Sequence, residues 1–552
     1  MEQERTRGTR TELARSKDRE AKSGRGFFEE EFRVKKYLPR SRERLFGATV
    51  TSVNSVERLI FGVTSHAPAV RRGVVEASAA FFMAIIAGCA VGPDYKPPQT
   101  AMPGSFHSTA EQSGPSKVVA GTADIARWWS SLKDPMLDSL VDRAVGSNLD
   151  VKIAASRVRE ARAQRGITAA AELPSVDANG SYSRSRTSQN SFNQQGRGQG
   201  SSGSDLFQVG FDASWEVDVF GGIRRSVEAA DAEIQVAEES RRDVLVSLLA
   251  ELGRNYVETR TFQRRILLAD NNIALQKDSL DLTLTRFNAG LTSELDVAQA
   301  RAQLETRRSQ VPPLRIGLAQ SVHRLGVLLG QEPGALLAEL NAVTPIPSVP
   351  VEVPLGVPSE LLRRRPDVRR AERDMAAASA RVGVATSDLY PKFSLTGAFG
   401  LQSQQIGDLF DLNSRFWSIG PSVRWPVFEA GRIRANIEAT NAREEQAILN
   451  YSKSVLTSLE ETENAITSYS QEQARRAFLA ESVVANRRAY DLANQLYTSG
   501  LKDFLNVLEA QRTLYEAEDQ LAQSDRGVTA NLIALYKALG GGWESFEPQA
   551  SR

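Results

Sequence analysis

From Phe207 to Val219 the chain alternates without a miss. Phe207, Val209, Phe211, Ala213, Trp215, Val217 and Val219 stand on one side, with Gln208, Gly210, Asp212, Ser214, Glu216 and Asp218 on the other. A period of two over that length predicts a β-strand with one apolar and one polar face. A weaker alternation from Val176 to Ser183 supplies a partner strand, and the polar stretch from Arg184 to Asp205 reads as the loop between them. The same grammar returns after an offset of 210 to 217 residues. Tyr390-Pro391 closes a helix, Phe393 to Leu401 alternates, and Phe416 to Phe428, carrying Trp417 and Trp425, reads as a second strand. Long polar loops and aromatic-flanked alternation suit strands of a barrel in lipid.

After each second strand the period changes to three and four. Leu245, Leu248 and Leu252, then Leu280, Leu284 and Phe287, recur at helical spacing, with Arg, Glu, Gln and Asn between them. No proline interrupts residues 223–311 or 427–547. The 64 residues from Arg224 to Phe287 would extend about 95 Å as one helix, more than a globular core needs. A shorter helical pattern runs from Leu137 to Ala171 and stops at Leu173-Pro174. Pro312-Pro313 predicts a break in the helix of the first half, where the second half has Ala522-Gln523.

Inside each long helical run one short text occurs twice, Arg286 to Val297 and Leu496 to Val507. Phe287 matches Tyr497, Gly290-Leu291 matches Gly500-Leu501, Leu295 matches Leu505, and Asp296 matches Asn506. Glycine at a helix end takes the left-handed conformation at little cost, and Ser293 or Asp503 just beyond can cap the next helix. Each copy therefore predicts a tight turn between two long antiparallel helices. Repetition at a fixed offset predicts duplicated architecture.

These elements divide the chain into repeat 1 over 127–331 and repeat 2 over 359–543, joined by a proline-bearing linker over 332–358. Each repeat is a helix, a β-hairpin (175–220 or 392–428), a long helix, a tip turn (288–293 or 498–503) and a returning helix. Residues 544–552 form a tail. The fold class is mixed α and β.

Composition alters this picture little. The formal charge of +1 gives no whole-chain case for nucleic acid. The apolar fraction of 41% is ordinary, and no run of eighteen apolar residues marks a transmembrane helix, which leaves a membrane barrel open. One cysteine, Cys89, forbids an internal disulfide, and the histidines at 66, 107 and 323 lack metal-ligand spacing. There is no glycine-rich phosphate loop and no His-centred constellation. The chain reads as a non-enzyme, with no metal or soluble cofactor.

The first 69 residues, rich in Arg, Lys, Glu and Ser, read as disordered or as an extension upstream of the true start near Val70. Residues 70–88 read as a signal peptide. Arg71-Arg72 precede an apolar run from Ala77 through Ile86, and Ile86-Ala87-Gly88-Cys89 resembles a bacterial lipobox, in which Cys89 carries the covalent lipid, palmitate included. The proline-rich stretch over 89–126 reads as an extended tether.

Gly92-Pro93-Asp94-Tyr95, Arg127-Trp128-Trp129, Asp134-Pro135 and Asn148-Leu149-Asp150-Val151 together resemble the lipoprotein branch of the TolC-like outer membrane efflux proteins, over nearly all of 89–543. The resemblance implies a homotrimer whose strands, four per chain, make one transmembrane barrel in outer membrane lipid. It implies a long α-helical tunnel in the periplasm, and a passive exit duct for small molecules or drugs. The partners implied are a periplasmic adaptor (membrane fusion protein) and an inner-membrane pump of the RND type. Ala90 after the cysteine, in place of the aspartate that retains such lipoproteins in the inner membrane, favours the outer membrane. Adaptor docking maps onto Ala289, Gly290 and Leu291 and onto Ser499, Gly500 and Leu501. The periplasmic gate maps onto Asn506 and Glu509, where a ring of three Glu509 carboxylates would raise their pKa. A gate tether maps onto a hydrogen bond from Tyr497 to Asp296. Two other readings stay open: an exit duct of a type I-like protein secretion system, and a structural coiled-coil surface protein.

Overall fold

The computed structural model describes residues 90–110, 115–119, 125–186 and 203–547. Cys89, the signal peptide over 70–88 and the first 69 residues lie outside them. In chain order the elements are β1 (Lys117–Val119), α1 (Pro135–Ser147), α2 (Leu149–Ala169), β2 (Ser175–Ser185), β3 (Ser204–Val217), α3 (Gly222–Asn288) and α4 (Glu294–Leu328). The second half follows with β4 (Glu352–Pro354), α5 (Pro358–Arg364), α6 (Pro366–Ser387), β5 (Lys392–Ser403), β6 (Arg415–Arg424), α7 (Arg432–Thr498) and α8 (Phe504–Ala538). The halves correspond in length as well as order. Helices α3 and α7 each have 67 residues, about 100 Å of helix, and α4 and α8 each have 35.

The four long strands form one antiparallel sheet in the order β2-β3-β5-β6. Its register places Ala178, Phe211, Phe399 and Trp417 in one row across all four strands. Phe211, Phe399 and Trp417 are exposed, as are Val176, Tyr182, Ile419 and Val423. The opposite face is polar, with Asn179 hydrogen-bonded to Asp212 and Ser175 to Ser214. The sheet thus turns its apolar side outward, and among the described residues β2 and β6 each pair on one side alone. Strand β6 stops at Arg424, four residues short of the stretch read from the alternation. Pro426 cannot donate to a ladder, so Trp425, Val427 and Phe428 project beyond it, exposed. Each sheet-to-helix corner turns on a left-handed glycine, Gly221 at φ +77° and Gly431 at φ +85°.

Helix α3 packs along α4, α6, α2 and α8, and α7 packs along α8 and α6. Midway along α3 and α7, where α4 and α8 end, lies the main core, in which Trp128 stacks on Tyr536 at 5.5 Å and meets Trp129 edge-on at 5.8 Å. The motif residues build this collar. Asp134 caps α1 by accepting from the Met136 and Leu137 amides while also accepting the Tyr256 hydroxyl at 2.6 Å. Pro135 takes the first helical position, where no donor is needed. Asn148 caps α2 through Oδ1 and donates through Nδ2 to the Leu328 carbonyl at 2.8 Å.

Two sequence expectations are corrected here. Helix α4 runs unbroken through Pro312 and Pro313. Both prolines face outward, where the carbonyls they leave unpaired reach water, while Val311 and Leu314 on either side are buried against Ala269 and Tyr515. The stretch read as a tether over 89–126 is, where described, a strap bound to the body. The Val91 amide donates to the Phe220 carbonyl, the Tyr95 hydroxyl to Glu372, and Thr100 bonds Tyr451. Further along, Glu463 accepts from the amides of His107 and Ser108 at 2.7 and 2.9 Å, Gln473 brackets the Ser116 backbone, and β1 joins β4 of the linker as a parallel pair. The prolines hold the strap extended, and its backbone finds partners in Glu463 and Gln473 of α7 and in Arg225 of α3, which donates to the Val91 carbonyl at 3.2 Å. The tail is also pinned: Arg242 lies over the Trp543 ring at 4.7 Å and bonds Glu547 at 2.8 Å.

Burial alone would raise the Glu463 carboxyl, but hydrogen bonds from Ser108 and from the two amides outweigh it and hold it below the usual glutamate range. A lowered folded value means that this clasp contributes fully above the ordinary glutamate pKa of about 4.3 and is lost as the pH falls through the lowered value. We expect Glu463→Ala to speed hydrogen exchange at the His107 and Ser108 amides by about tenfold near neutral pH. The same amides in the parent protein should lose protection only in acid. Equal exchange in both proteins would contradict the clasp.

Candidate gate and docking tips

The two hairpins, α3 with α4 and α7 with α8, end in turns of the same geometry. In the first, Gly290 adopts φ +76°, its amide donates to the Phe287 carbonyl at 2.9 Å, and the Leu291 amide donates to the Arg286 carbonyl at 2.9 Å. In the second, Gly500 adopts φ +75°, with its amide on the Tyr497 carbonyl and the Leu501 amide on the Leu496 carbonyl, both at 2.9 Å. These paired bonds close the helix ends, and a left-handed glycine is what permits them. Ala289 and Ser499 hold the C-cap positions.

The restarts differ. Ser293 caps α4 in a reciprocal capping box with Asp296, whereas Asp503 caps α8 with no side-chain hydrogen bond. Thr292 also donates to the Asp296 carboxylate. Those bonds, from the Thr292 hydroxyl first and then from Ser293, hold the carboxyl below its usual range against the effect of burial. Ser293→Ala should therefore destabilise the first tip by about 1 kcal/mol, while Asp503→Ala should leave the second nearly unchanged. Local exchange at Asp296 and at Asn506 reads out both. Equal losses at the two tips would contradict the asymmetry.

Leu291 is 66% exposed and Leu501 70% exposed. Leu295 and Leu505, in the first turn of the helix that follows each tip, are exposed too. The sequence reading matched these last two without placing them at the docking surface; their recurrence just past both tip turns was the available signal. Each tip therefore carries a pair of bare leucines. Beneath them the hairpins pack through Leu280, Val297, Ala300 and Leu304 of the first and Tyr497, Phe504, Val507 and Leu508 of the second.

The expected bond between Tyr497 and Asp296 is not made. Asp296 is occupied by the capping box of its own helix, and the Tyr497 hydroxyl is buried without a partner. The ring instead packs on Phe504, with centroids 5.3 Å apart, and beneath the Arg286 guanidinium at 4.7 Å. Asn506 turns back to its own turn, its amide group donating to the Asp503 carbonyl at 3.3 Å. Glu509 is exposed and pairs with Arg512 at 2.6 Å, and Arg512 reaches Glu516 at 3.4 Å. In the protomer the hydrogen bond from Arg512 lowers the Glu509 carboxyl, opposite to the rise expected from a ring of like charges. Arg512, three residues along the same helix, is the residue the sequence reading missed.

An outward-apolar sheet with two open edges, continued by helices of about 100 Å that end in paired tips, defines a building block of a membrane-inserted channel. The chain belongs to the Outer membrane efflux protein family, which it matches over residues 140–331 and 357–541. It is 30% identical over 472 residues to the solvent efflux pump outer membrane protein SrpC of Pseudomonas putida, covering 84% of this chain and 97% of that protein. To the pyoverdine export outer membrane protein OpmQ of Pseudomonas aeruginosa it is 32% identical over 425 residues, covering 77% and 89%. The solved structure of the outer-membrane channel OprN superposes with a TM-score of 0.77 at 37% identity, covering 83% of this chain and all of that one.

Proposed function

We propose that the protein is the exit duct of a tripartite efflux system, built from three copies and passive in itself. The sheet carries this reading. A backbone edge inside lipid has no water to satisfy it, so an open four-stranded sheet with an apolar outer face must be closed by further strands. Pairing β6 of one copy with β2 of the next around a threefold axis closes a barrel of twelve strands, three times four, with the polar face inward. The long helices then extend the polar interior into a tunnel through the periplasm. Trp417, Trp425 and Phe428 offer the exposed aromatic residues that sit at lipid-water boundaries.

The lipid anchor on Cys89 fits the same frame. Ala90 lies against Gly221 and Val91 bonds Phe220, so the strap begins where strands give way to helices. A lipid there would enter the membrane that holds the barrel. The tips, with bare leucines and glycines that leave the backbone open, suit an adaptor hairpin, and an inner-membrane pump of the RND type would supply the energy and small-molecule cargo.

Purified protein in a planar bilayer should show single channels. Gly500→Arg should abolish crosslinking to the adaptor and cut efflux while the trimer forms as in the parent, because open space surrounds that glycine and the strain of a side chain at φ +75° stays within the tip turn. Cys89→Ser should lose lipid labelling while the barrel still inserts. Normal adaptor crosslinking in Gly500→Arg would remove the docking assignment, and a protein that never conducts would remove the duct.

A further inference from the structure

At the end of the sheet away from the helices, the connection from β5 to β6 over 404–414 holds three large apolar side chains in the open. Ile406, Leu412 and, at 77%, Phe410 are exposed, while Leu409 among them is buried and anchors the loop. Hydrogen bonds brace it as well. The Asp408 carbonyl accepts both the Asp411 amide at 3.1 Å and the Ser414 hydroxyl at 2.6 Å. An ordered loop that displays apolar groups, with exposed Asp408 and Asp411 between them, has an apolar side in want of a partner.

The register fixes which side of the sheet the loop lies on. Alternation back from Ile419 and Trp417 puts Arg415 on the outward, apolar face, in one row with Val209 and Leu401. Its Nε donates to the Leu412 carbonyl at 2.8 Å, which draws the loop to that face. Arg415 stands two residues, about 7 Å, beyond the exposed Trp417. A tryptophan suits the lipid-water boundary, so the guanidinium reaches the level of lipid phosphates. Arg415 is exposed and, among the described residues, pairs with no carboxylate. Arg184 holds the corresponding place on the outward face of β2, with Asp205 3.7 Å from its Nε. Closing β6 on β2 of the next copy sets one arginine on each side of the seam.

We propose that each seam of the barrel is a seat for an anionic, phosphate-bearing lipid of the outer leaflet. Arg415 and Arg184 hold the phosphate, and Ile406, Phe410 and Leu412 rest against the acyl chains beside it. This rests on the barrel reading above. Lipid is the occupant because the loop continues the same apolar face that the barrel turns to the membrane. Arginine suits the task, since its planar fork matches phosphate oxygens. Asp408 and Asp411 stay on the water side of the loop.

Spin labels on single cysteines test the seat, in the whole trimer with Cys89→Ser, reconstituted in vesicles of phosphatidylethanolamine and phosphatidylglycerol. Labels on Ile406→Cys, Phe410→Cys and Leu412→Cys should meet oxygen more often than a water-soluble nickel chelate, as labels on Phe399→Cys and Trp417→Cys do. Labels on Asp408→Cys and Asp411→Cys should show the reverse. Preference for the chelate at 406, 410 and 412 would overturn the seat. So would shielding from both reagents, which would mean that the loop packs on protein. For the phosphate, trimer in detergent is offered equal amounts of phosphatidylglycerol and phosphatidylcholine, and the retained lipid is weighed by mass spectrometry. The parent should prefer the anionic lipid, and Arg415→Gln and Arg184→Gln should each lower that preference about fivefold with trimer yield unchanged. Equal retention of both lipids by the parent, or an undiminished preference in Arg415→Gln, would contradict the assignment. Chelate-exposed labels at 399 and 417 would instead strike at the barrel itself.

Discussion

Backbone hydrogen bonding at the edges of the sheet is the constraint on which the rest of this structure depends. Every N–H and C=O placed in lipid must find a partner in protein. Among the described residues of one chain β3 and β5 are paired on both sides, but β2 and β6 are paired on one. The row from Ala178 to Trp417 shows which side meets lipid, since apolar side chains stand exposed there across neighbouring strands. A soluble protein would bury that face or break it with charge. The family relationship and the geometry of the edges meet on the same assembly: copies of this chain must complete one another.

What happens below the sheet follows from that closure. The left-handed glycines at 221 and 431 redirect each hairpin into a helix, and the two 67-residue helices carry the enclosed volume away from the membrane. The collar formed by Trp128, Trp129, Tyr256 and Tyr536 ties both halves together at mid-length. The strap runs from that first glycine corner down along α7 to the collar, so the segment that follows Cys89 is a brace. At the far end the packing thins to the small cluster around Tyr497 and Phe504. Each chain is thus packed most heavily at the collar and most lightly at its tips.

Much of this was legible in the chain. Alternation located the strands, proline-free spacing located the long helices, and the repeated glycine turns located the tips. What stayed hidden shares one physical cause: it depends on partners distant in sequence. The strap looked like a free linker because its bonds go to Glu372, Tyr451, Glu463 and Gln473, several hundred residues away. Pro312-Pro313 looked like a break because the burial of Val311 and Leu314, which holds the helix, comes from α3 and α8. At the tips, local chemistry took a residue from the role expected of it: Asp296 is claimed by its own capping box and is not bonded to Tyr497, while Glu509 pairs with Arg512 one turn away.

Closure of β2 against β6 between copies is the claim most directly open to measurement. Single cysteines placed along β2 and along β6, with Cys89 replaced, can be paired in one chain and oxidised in the native membrane. Pairs that lie opposite one another across the proposed seam should give covalent dimers and trimers, and no larger species, on denaturing gels without reductant. Failure of every β2 and β6 pair to crosslink, or a ladder continuing past three copies, would contradict the closed barrel.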